Sequence, residues 1–96
     1  PAAGQAERSL DPADEAYRQR AMQGALERGP SGETATWRNP ANGHSGTVTP
    51  VTTYRSVSGQ YCRDFQATVT AGGGTDERRA TACRLADGAW KLVGIP

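Results

Sequence analysis

The sequence predicts an α+β fold in which one N-terminal helix packs on a four- to five-stranded antiparallel meander sheet with one disulfide. Three observations favour this fold. One segment carries both helix-start and helix-stop residues, a β-branched run follows at 47–57, and glycine-bearing turns separate further strand-like segments. With 96 residues, of which 35% are apolar, the chain can bury one modest core. We assign residues 11–96 to a single domain and residues 1–10, rich in Ala, Gly and Gln, to a flexible N-terminal linker.

The helix is predicted by its two ends. Asp11 is a good N-cap, Pro12 suits the first helical position, and Asp14 occupies the place of a capping-box acid. The helix runs to about Arg28, where Gly29-Pro30 ends it. Apolar residues gather on one half of the helix: Tyr17, Ala21, Met22, Ala25 and Leu26. We expect this half to cover the sheet, and docking on a partner is the alternative.

The first long hairpin is predicted around Ser58-Gly59 as a two-residue link. Pairing Val57 with Gln60 places Val48 opposite Val69 and Tyr54 opposite Arg63. One face is then more apolar and is expected to face the core. It carries Val48, Pro50, Tyr54, Tyr61, Phe65, Ala67 and Val69. Arg63 interrupts this face, and we expect its guanidinium to lie across Tyr54.

The second hairpin turns at 72–75, which is very rich in glycine, and the two cysteines lie almost symmetrically about it. If Cys62 pairs directly with Cys83, Phe65 faces Ala80 and the apolar face stays continuous. A disulfide at this pair would stabilise the fold by roughly 3 kcal/mol in the chain-entropy model. The alternative is two free, buried thiols in a cytosolic domain.

Shorter elements complete the predicted sheet. A strand centred on Trp37 covers 34–38, and a turn-rich loop follows at 39–46. A tight turn at Asp87-Gly88 leads into a last strand at 89–93, with Trp90 and Leu92 on one face.

The charges do not favour a nucleic-acid partner. The net charge is +1, which gives no strong field. Arginines could form a stripe on the sheet, but Arg55 and Arg79 would point outward while the others share the face of the aromatic residues. We therefore expect no nucleic acid among the partners.

No catalytic or metal-binding constellation is visible. His44 is the only histidine and has no Cys, Asp or Glu near it at ligand spacing, so we expect it to serve a surface or turn role. The Gly72–Gly74 run is not a phosphate loop, because no Gly-Lys-Ser/Thr and no helix follow it. We predict a protein that is not an enzyme and needs no cofactor or metal.

Several short motifs occur in one order along the chain. They are Trp37-Arg38-Asn39-Pro40, Gly43, Gly46-Thr47-Val48-Thr49-Pro50, Tyr61-Cys62-Arg63-Asp64-Phe65, Ala82-Cys83-Arg84 and Asp87-Gly88-Ala89-Trp90. With these motifs the chain resembles the C-terminal domain of the bacterial 17-kDa outer-membrane surface antigens, also called the rickettsial-type surface antigen. The resemblance covers about residues 11–93, and the combination of motifs is more specific than any single one.

The resemblance implies an exported protein at the periplasmic face of the outer membrane or at the cell surface, where Cys62 and Cys83 would be oxidised. Members of the family are typically lipoproteins with a lipidated N-terminal Cys and often a Gly-rich zipper segment. Neither feature is in the printed sequence. We therefore expect membrane attachment only through an N-terminal anchor upstream of Pro1. The resemblance implies no catalytic residue.

Our first functional hypothesis is a non-enzymatic envelope module that binds an envelope or surface-assembly protein. The surfaces expected to make contact are the 39–46 loop, the 72–75 tip and the sheet face that the helix leaves bare. Candidate interaction residues are Arg55, Arg79, Asn42, His44 and Gly73. The alternative is a secreted inhibitor or a domain that binds peptidoglycan or another glycan. A solvent-facing Trp37 or Trp90 would favour glycan binding.

Overall fold

Two helices precede five antiparallel strands in the computed structural model, which describes residues 4–94. The elements are α1 Gln5–Arg8, α2 Pro12–Arg28, β1 Ala35–Arg38, β2 Ser45–Arg55, β3 Tyr61–Ala71, β4 Gly74–Arg84 and β5 Trp90–Gly94. The sheet order is β1-β2-β3-β4-β5, so each strand pairs with the next along the chain. The predicted α+β meander is confirmed.

Helix α2 begins and ends where the sequence predicts. Asp11 is the N-cap, its carboxylate accepts from the Asp14 backbone N–H at 2.9 Å, and Asp14 accepts from the Asp11 N–H at 3.0 Å. At the other end the Gly29 N–H donates to the carbonyl of Ala25 at 2.8 Å. The apolar half of α2 packs on the sheet, where Leu26 is only 1% exposed. The expectation that α2 covers the sheet is thus confirmed.

A short helix, α1, forms within the segment predicted as a flexible linker. Ala6 is fully buried in a second apolar cluster with Trp37, Val69 and Ala71. The Glu7 N–H donates to the Asp76 carboxylate at 2.9 Å. These contacts come from strands far along the chain, so the composition of 1–10 could not indicate them. Residues 1–3 of the predicted linker lie outside the described residues.

The β3–β4 hairpin has the predicted register. Cys62 lies opposite Cys83 and Phe65 opposite Ala80, and the two sulfur atoms are bonded at 2.05 Å. The predicted disulfide is confirmed, and the described cysteines include no free thiol. On the opposite face from α2, the Thr81 hydroxyl donates to Asp64 at 2.6 Å.

The predicted β2–β3 register is wrong because the chain contains a β-bulge and a longer loop. The register shifts between Pro50 and Thr52, and residues 56–60 link the strands in place of the predicted two-residue turn. Val48 therefore pairs with Ala67, and Tyr54 pairs with Cys62. A bulge reverses which face the following residues occupy, so only the part of β2 before it keeps the predicted core face.

The bulge changes burial along β2. Val48 and Pro50, before the bulge, are buried as predicted, whereas Tyr54, after it, is 43% exposed. Tyr61, the first residue of β3, is 51% exposed although the bulge does not change its face. Arg63 does not lie across Tyr54. Its guanidinium donates instead to the carbonyls of Ala25 at 3.2 Å and Leu26 at 2.9 Å, the last turn of α2. Arg63 thereby gives a partner to the Leu26 carbonyl and a second donor to the Ala25 carbonyl, which also accepts from Gly29.

Candidate functional site

Four elements meet at one end of the sheet, which we call the loop end. It consists of the β1–β2 loop (residues 39–44), the β3–β4 tip (residues 72–73), α1 and the first turn of α2. Ser45 pairs with both Arg38 and Thr70, so the β1–β2 loop and the β3–β4 tip leave the sheet side by side. A methyl group added at Gly72 would meet the Ser9 hydroxyl at 2.8 Å, which places the segment after α1 against the tip.

Asp14 connects helix α2 to the β1–β2 loop. Its carboxylate is completely buried and accepts from the side-chain amides of Asn39 at 2.9 Å and Asn42 at 3.1 Å. The ring Nδ1 of His44 lies 2.8 Å from the same carboxylate. Together with the Asp11 N–H, four groups therefore surround one carboxylate at the N-terminus of a helix.

The loop is also bonded within itself. The Asn39 N–H donates to the His44 carbonyl and the Gly43 N–H to the Asn39 carbonyl, both at 2.8 Å. The Asn39 side-chain oxygen accepts from the Ala41 N–H at 3.0 Å, and that of Asn42 accepts from the His44 N–H at 2.9 Å. Each asparagine thus accepts from the loop backbone with its side-chain oxygen and donates to Asp14 with its side-chain nitrogen.

Asp14 stays ionised in this environment. Burial opposes the charged form, but the hydrogen bonds from the Asp11 backbone, His44, Asn39 and Asn42 outweigh it and hold the pKa of Asp14 well below its usual range. Position at a helix N-terminus favours the negative charge as well. The loop is therefore attached to a permanent anion at neutral pH.

A cleft separates the two helices from the outer part of the sheet. Its volume is about 390 Å³, and its walls come from α1, α2, β4 and β5. Apolar residues form its floor and charged residues its rim. The floor includes Met22, Val48, Phe65, Ala67, Val69, Ala80 and Trp90, and the rim includes Glu7, Glu15, Arg18, Asp76, Arg78 and Lys91.

Comparison with known proteins places the chain in a family. Residues 24–91 match the family model described as 17 kDa outer membrane surface antigen. The chain belongs to this family. The sequence is 45% identical over 84 residues to the "17 kDa surface antigen" of Rickettsia bellii (strain RML369-C), which covers 88% of this chain and 53% of that protein. No solved structure matches the chain.

Further relatives agree. The "17 kDa surface antigen" of Rickettsia conorii (strain ATCC VR-613 / Malish 7) is 45% identical with the same coverage. That of Rickettsia prowazekii (strain Madrid E) is 51% identical over 71 residues, covering 74% of this chain and 45% of the relative. The chain thus spans about half the length of the curated relatives it matches.

The structure brings three of the five predicted interaction residues of this surface-antigen chain together. Asn42 and His44 both contact Asp14, and Gly73 lies at the β3–β4 tip of the same loop end. Arg79 is exposed on the bare outer face of the sheet, opposite Gln66. Arg55 lies at the other end of the sheet. The bulge puts Arg55 opposite Tyr61, and the Arg55 guanidinium lies 4.6 Å from the centre of the Tyr61 ring. The prediction that Arg55 points outward is therefore wrong.

The residue that sequence analysis missed is Asp14 as the partner of His44. His44 was expected to have no acid near it, because the two residues are 30 positions apart. Asp14 was noted only as a capping-box acid. The one available signal was an Asp at the capping-box position, where Glu or Gln is usual.

A buried carboxylate beside an imidazole can serve catalysis in other proteins, so its surroundings matter. Here the His44 side chain is 22% exposed, and it lines none of three cavities found among residues 4–94. No group of three or more His, Cys, Asp and Glu side chains is arranged to hold a metal within this range. The clearest effect of the arrangement is to fix the loop.

Two other features bear on the glycan alternative. Trp37 and Trp90 are 5% and 6% exposed, so neither presents a ring face for sugar stacking. The Trp90 backbone exchanges two 2.8 Å hydrogen bonds with the side chain of Gln23, and its indole N–H donates to Glu27 at 2.9 Å. Trp90 therefore secures β5 to α2, and the observation that would favour glycan binding is not found.

Proposed function

We propose that this chain is a non-enzymatic, exported envelope protein that binds another envelope or surface-assembly protein through its loop end. Membership of a family described as outer membrane surface antigens supports the location. The Cys62–Cys83 disulfide also supports it, because such bonds persist in oxidising compartments.

One observation carries the proposed binding role: the loop end is an exposed surface with a fixed backbone. Residues 40–43 are exposed, while Asn39 is buried and the loop is bonded to the ionised Asp14. A loop that is ordered before binding loses less conformational entropy when a partner docks. Binding residues are also commonly carried by loops on a rigid scaffold.

The interaction can be tested with a photo-crosslinking residue at Ala41. Val57 provides the matched control, because it is fully exposed in the β2–β3 loop at the other end of the sheet. We expect one crosslinked envelope protein of reproducible mass with the probe at Ala41, competed by unlabelled chain, and none with the probe at Val57. Equal labelling at both positions, or labelling that unlabelled chain does not compete, would contradict a loop-end site.

The same design tests whether the fixed loop is needed. Asp14→Asn keeps the size of the side chain but removes its charge and turns one acceptor into a donor. We expect crosslinking at Ala41 to fall several-fold in this variant. Glu33→Gln makes the equivalent change at an exposed position between α2 and β1, outside the loop end, and should leave crosslinking unchanged.

The side of the outer membrane and the mode of attachment are separate parts of the proposal. No described helix has the length and apolar character needed for a membrane span. We propose attachment through an N-terminal anchor, as the family resemblance implies. Proteolysis of intact cells tests the location. Cleavage without permeabilising the outer membrane indicates the cell surface, and protection until permeabilisation indicates the periplasmic face.

The absence of enzymatic activity, of a cofactor and of a nucleic-acid partner are also proposals. The first two are supported by the environment of His44, because no catalytic cleft formed by the described residues surrounds its imidazole. The third is supported by Arg55 and Arg79, which lie on opposite faces of the sheet and so form no continuous basic stripe. Titration with single-stranded RNA at low salt tests the nucleic-acid part. Binding with a strong salt dependence would refute it.

A further inference from the structure

The cleft between the helices and the sheet has an apolar floor and a charged rim, and it shares only Glu7 and Glu15 with the loop end. Its floor is apolar and includes the rings of Phe65 and Trp90. Leu92 also lines it and is 46% exposed, so apolar surface extends to its mouth. A volume of about 390 Å³ lies at the lower end of the range typical of small-molecule sites.

The acids around the cleft are already engaged. Arg18 contacts Glu7 at 2.7 Å and Glu15 at 2.7 Å, so two carboxylates share one guanidinium and these three groups carry a net charge of −1. Asp76 accepts the backbone N–H of Glu7. Among the residues that line the cleft, the α-helical side therefore offers no unpaired cation, and its net negative charge disfavours an anionic head group there.

The strand side differs, because it carries two cations without partners. Neither the guanidinium of Arg78 nor the ammonium of Lys91 makes a hydrogen bond or ion pair with any residue in the 4–94 range. Both residues are exposed and line the cleft. Arg78 also borders a depression on the outer face of the sheet, as expected for a long side chain at a strand edge.

The strand side is also where the sheet is incomplete. Strand β5 pairs only with Thr81–Arg84 of β4, and no described strand covers the outer edge of residues 74–80. Asp76, Arg78 and Ala80 line the cleft along this uncovered half. A ligand can therefore enter beside β4, past the two unpaired cations.

We propose that the cleft binds a single-chain anionic amphiphile of the fatty-acid type. The acyl chain would lie against Phe65, Met22 and Trp90, and its carboxylate would face Arg78 and Lys91. Burying methylenes on the apolar floor supplies most of the affinity, and the cations select the head group. The volume fits one chain and not a folded partner, and the charge complementarity is with an anion.

The test uses monomeric sodium dodecanoate as the probe, below its micelle concentration, and follows the two tryptophan indole N–H signals by NMR. Trp90 lines the cleft, whereas Trp37 belongs to the other apolar cluster and serves as an internal control. We expect a saturable shift of the Trp90 signal with little change at Trp37. Each added methylene should tighten binding roughly three- to fourfold until the cleft is filled.

Head-group selection is tested with dodecyltrimethylammonium and with charge-reversal variants at exposed positions, which should not affect folding. The double variant Arg78→Glu, Lys91→Glu should weaken dodecanoate binding roughly tenfold and bring the cationic probe to equal or better affinity. Arg79→Glu is the matched control, because Arg79 follows Arg78 but lies on the other face of β4. It should change the affinity less than about twofold.

Three results would overturn the proposal. The first is no saturable shift of Trp90, and the second is equal binding of the anionic and cationic probes by the wild-type chain. The third is binding to phosphatidylglycerol vesicles without binding to monomeric dodecanoate, which would indicate a bilayer surface as the ligand.

Discussion

Replacing Asp14 with alanine should destabilise the protein strongly, because one buried carboxylate accepts from four groups. Asn42 and His44 are partly accessible to water, but Asn39 is buried and would lose its partner together with the N-cap backbone of Asp11. An unsatisfied buried donor such as the Asn39 amide costs about 1–3 kcal/mol, and the lost charge-assisted bonds from the other three groups bring the loss to about 3–5 kcal/mol. This is a large part of the stability of a small domain.

Urea unfolding at neutral pH measures the effect. With a slope of about 2 kcal/mol/M, the midpoint should fall by roughly 2 M. Glu15→Ala removes an acid from the same turn of α2, but Glu15 is exposed and paired only with Arg18, so it should cost less than about 1 kcal/mol. If Asp14→Ala costs no more than Glu15→Ala, Asp14 does not hold the loop as described.

The pH dependence gives an independent check on the same residue. Because the pKa of Asp14 is lower in the folded than in the unfolded chain, its contribution is fully present above the ordinary value of 3.8. That contribution is lost as the pH falls through lower values toward the folded pKa. The wild-type free energy of unfolding should therefore drop more steeply below about pH 4 than that of Asp14→Ala. Parallel curves would contradict the assignment.

Three further predictions concern the sheet. Reducing the Cys62–Cys83 disulfide, or replacing both residues with serine, should lower the free energy of unfolding by roughly 3 kcal/mol, measured by urea unfolding with and without reductant. Arg63→Met should cost about 2–4 kcal/mol, because two carbonyls at the end of α2 lose a charged donor. Arg63→Lys should cost less, and an equal loss would contradict the bonding pattern. Gly46→Ala should lower the thermal midpoint by at least about 8 °C, because the added methyl group would collide with a carbonyl of β3 and with the indole of Trp37. An unchanged midpoint would show that the strands can separate at this position.

Local signals explain why the β3–β4 hairpin and α2 could be predicted. The glycine-rich tip fixes the centre of the hairpin, and the symmetric cysteines fix its register, so Phe65 was correctly placed opposite Ala80. For α2, the capping residues at both ends agree with the apolar half between them. In each case several short-range preferences specify the same structure.

The errors came from features that sequence patterns specify weakly. The bulge after Pro50 adds one residue to β2 without a distinctive motif, and it moved Tyr54 and Arg55 to the opposite faces. Arg63 was recognised as unusual for a core face, but its partners are carbonyls of a helix 37 residues away.

The candidate site depends even more on long-range contacts. Asn42 and His44 were named from their position in a turn-rich loop, but their link to Asp14 arises only when α2 crosses the start of the sheet. The cleft combines residues of both helices and four strands, so no segment of the sequence carries its signature. Tertiary packing, and not local pattern, brings these residues together.

Amide hydrogen exchange in the β1–β2 loop of the wild-type chain and of Asp14→Asn tests most directly whether Asp14 holds the loop end. We predict measurable protection for the Asn39, Gly43 and His44 amides, whose acceptors lie within the loop. That protection should fall in the variant, while the β3–β4 amides keep theirs. Rapid exchange of the loop amides in the wild-type chain, or equal protection in both proteins, would contradict a loop end held in place by Asp14.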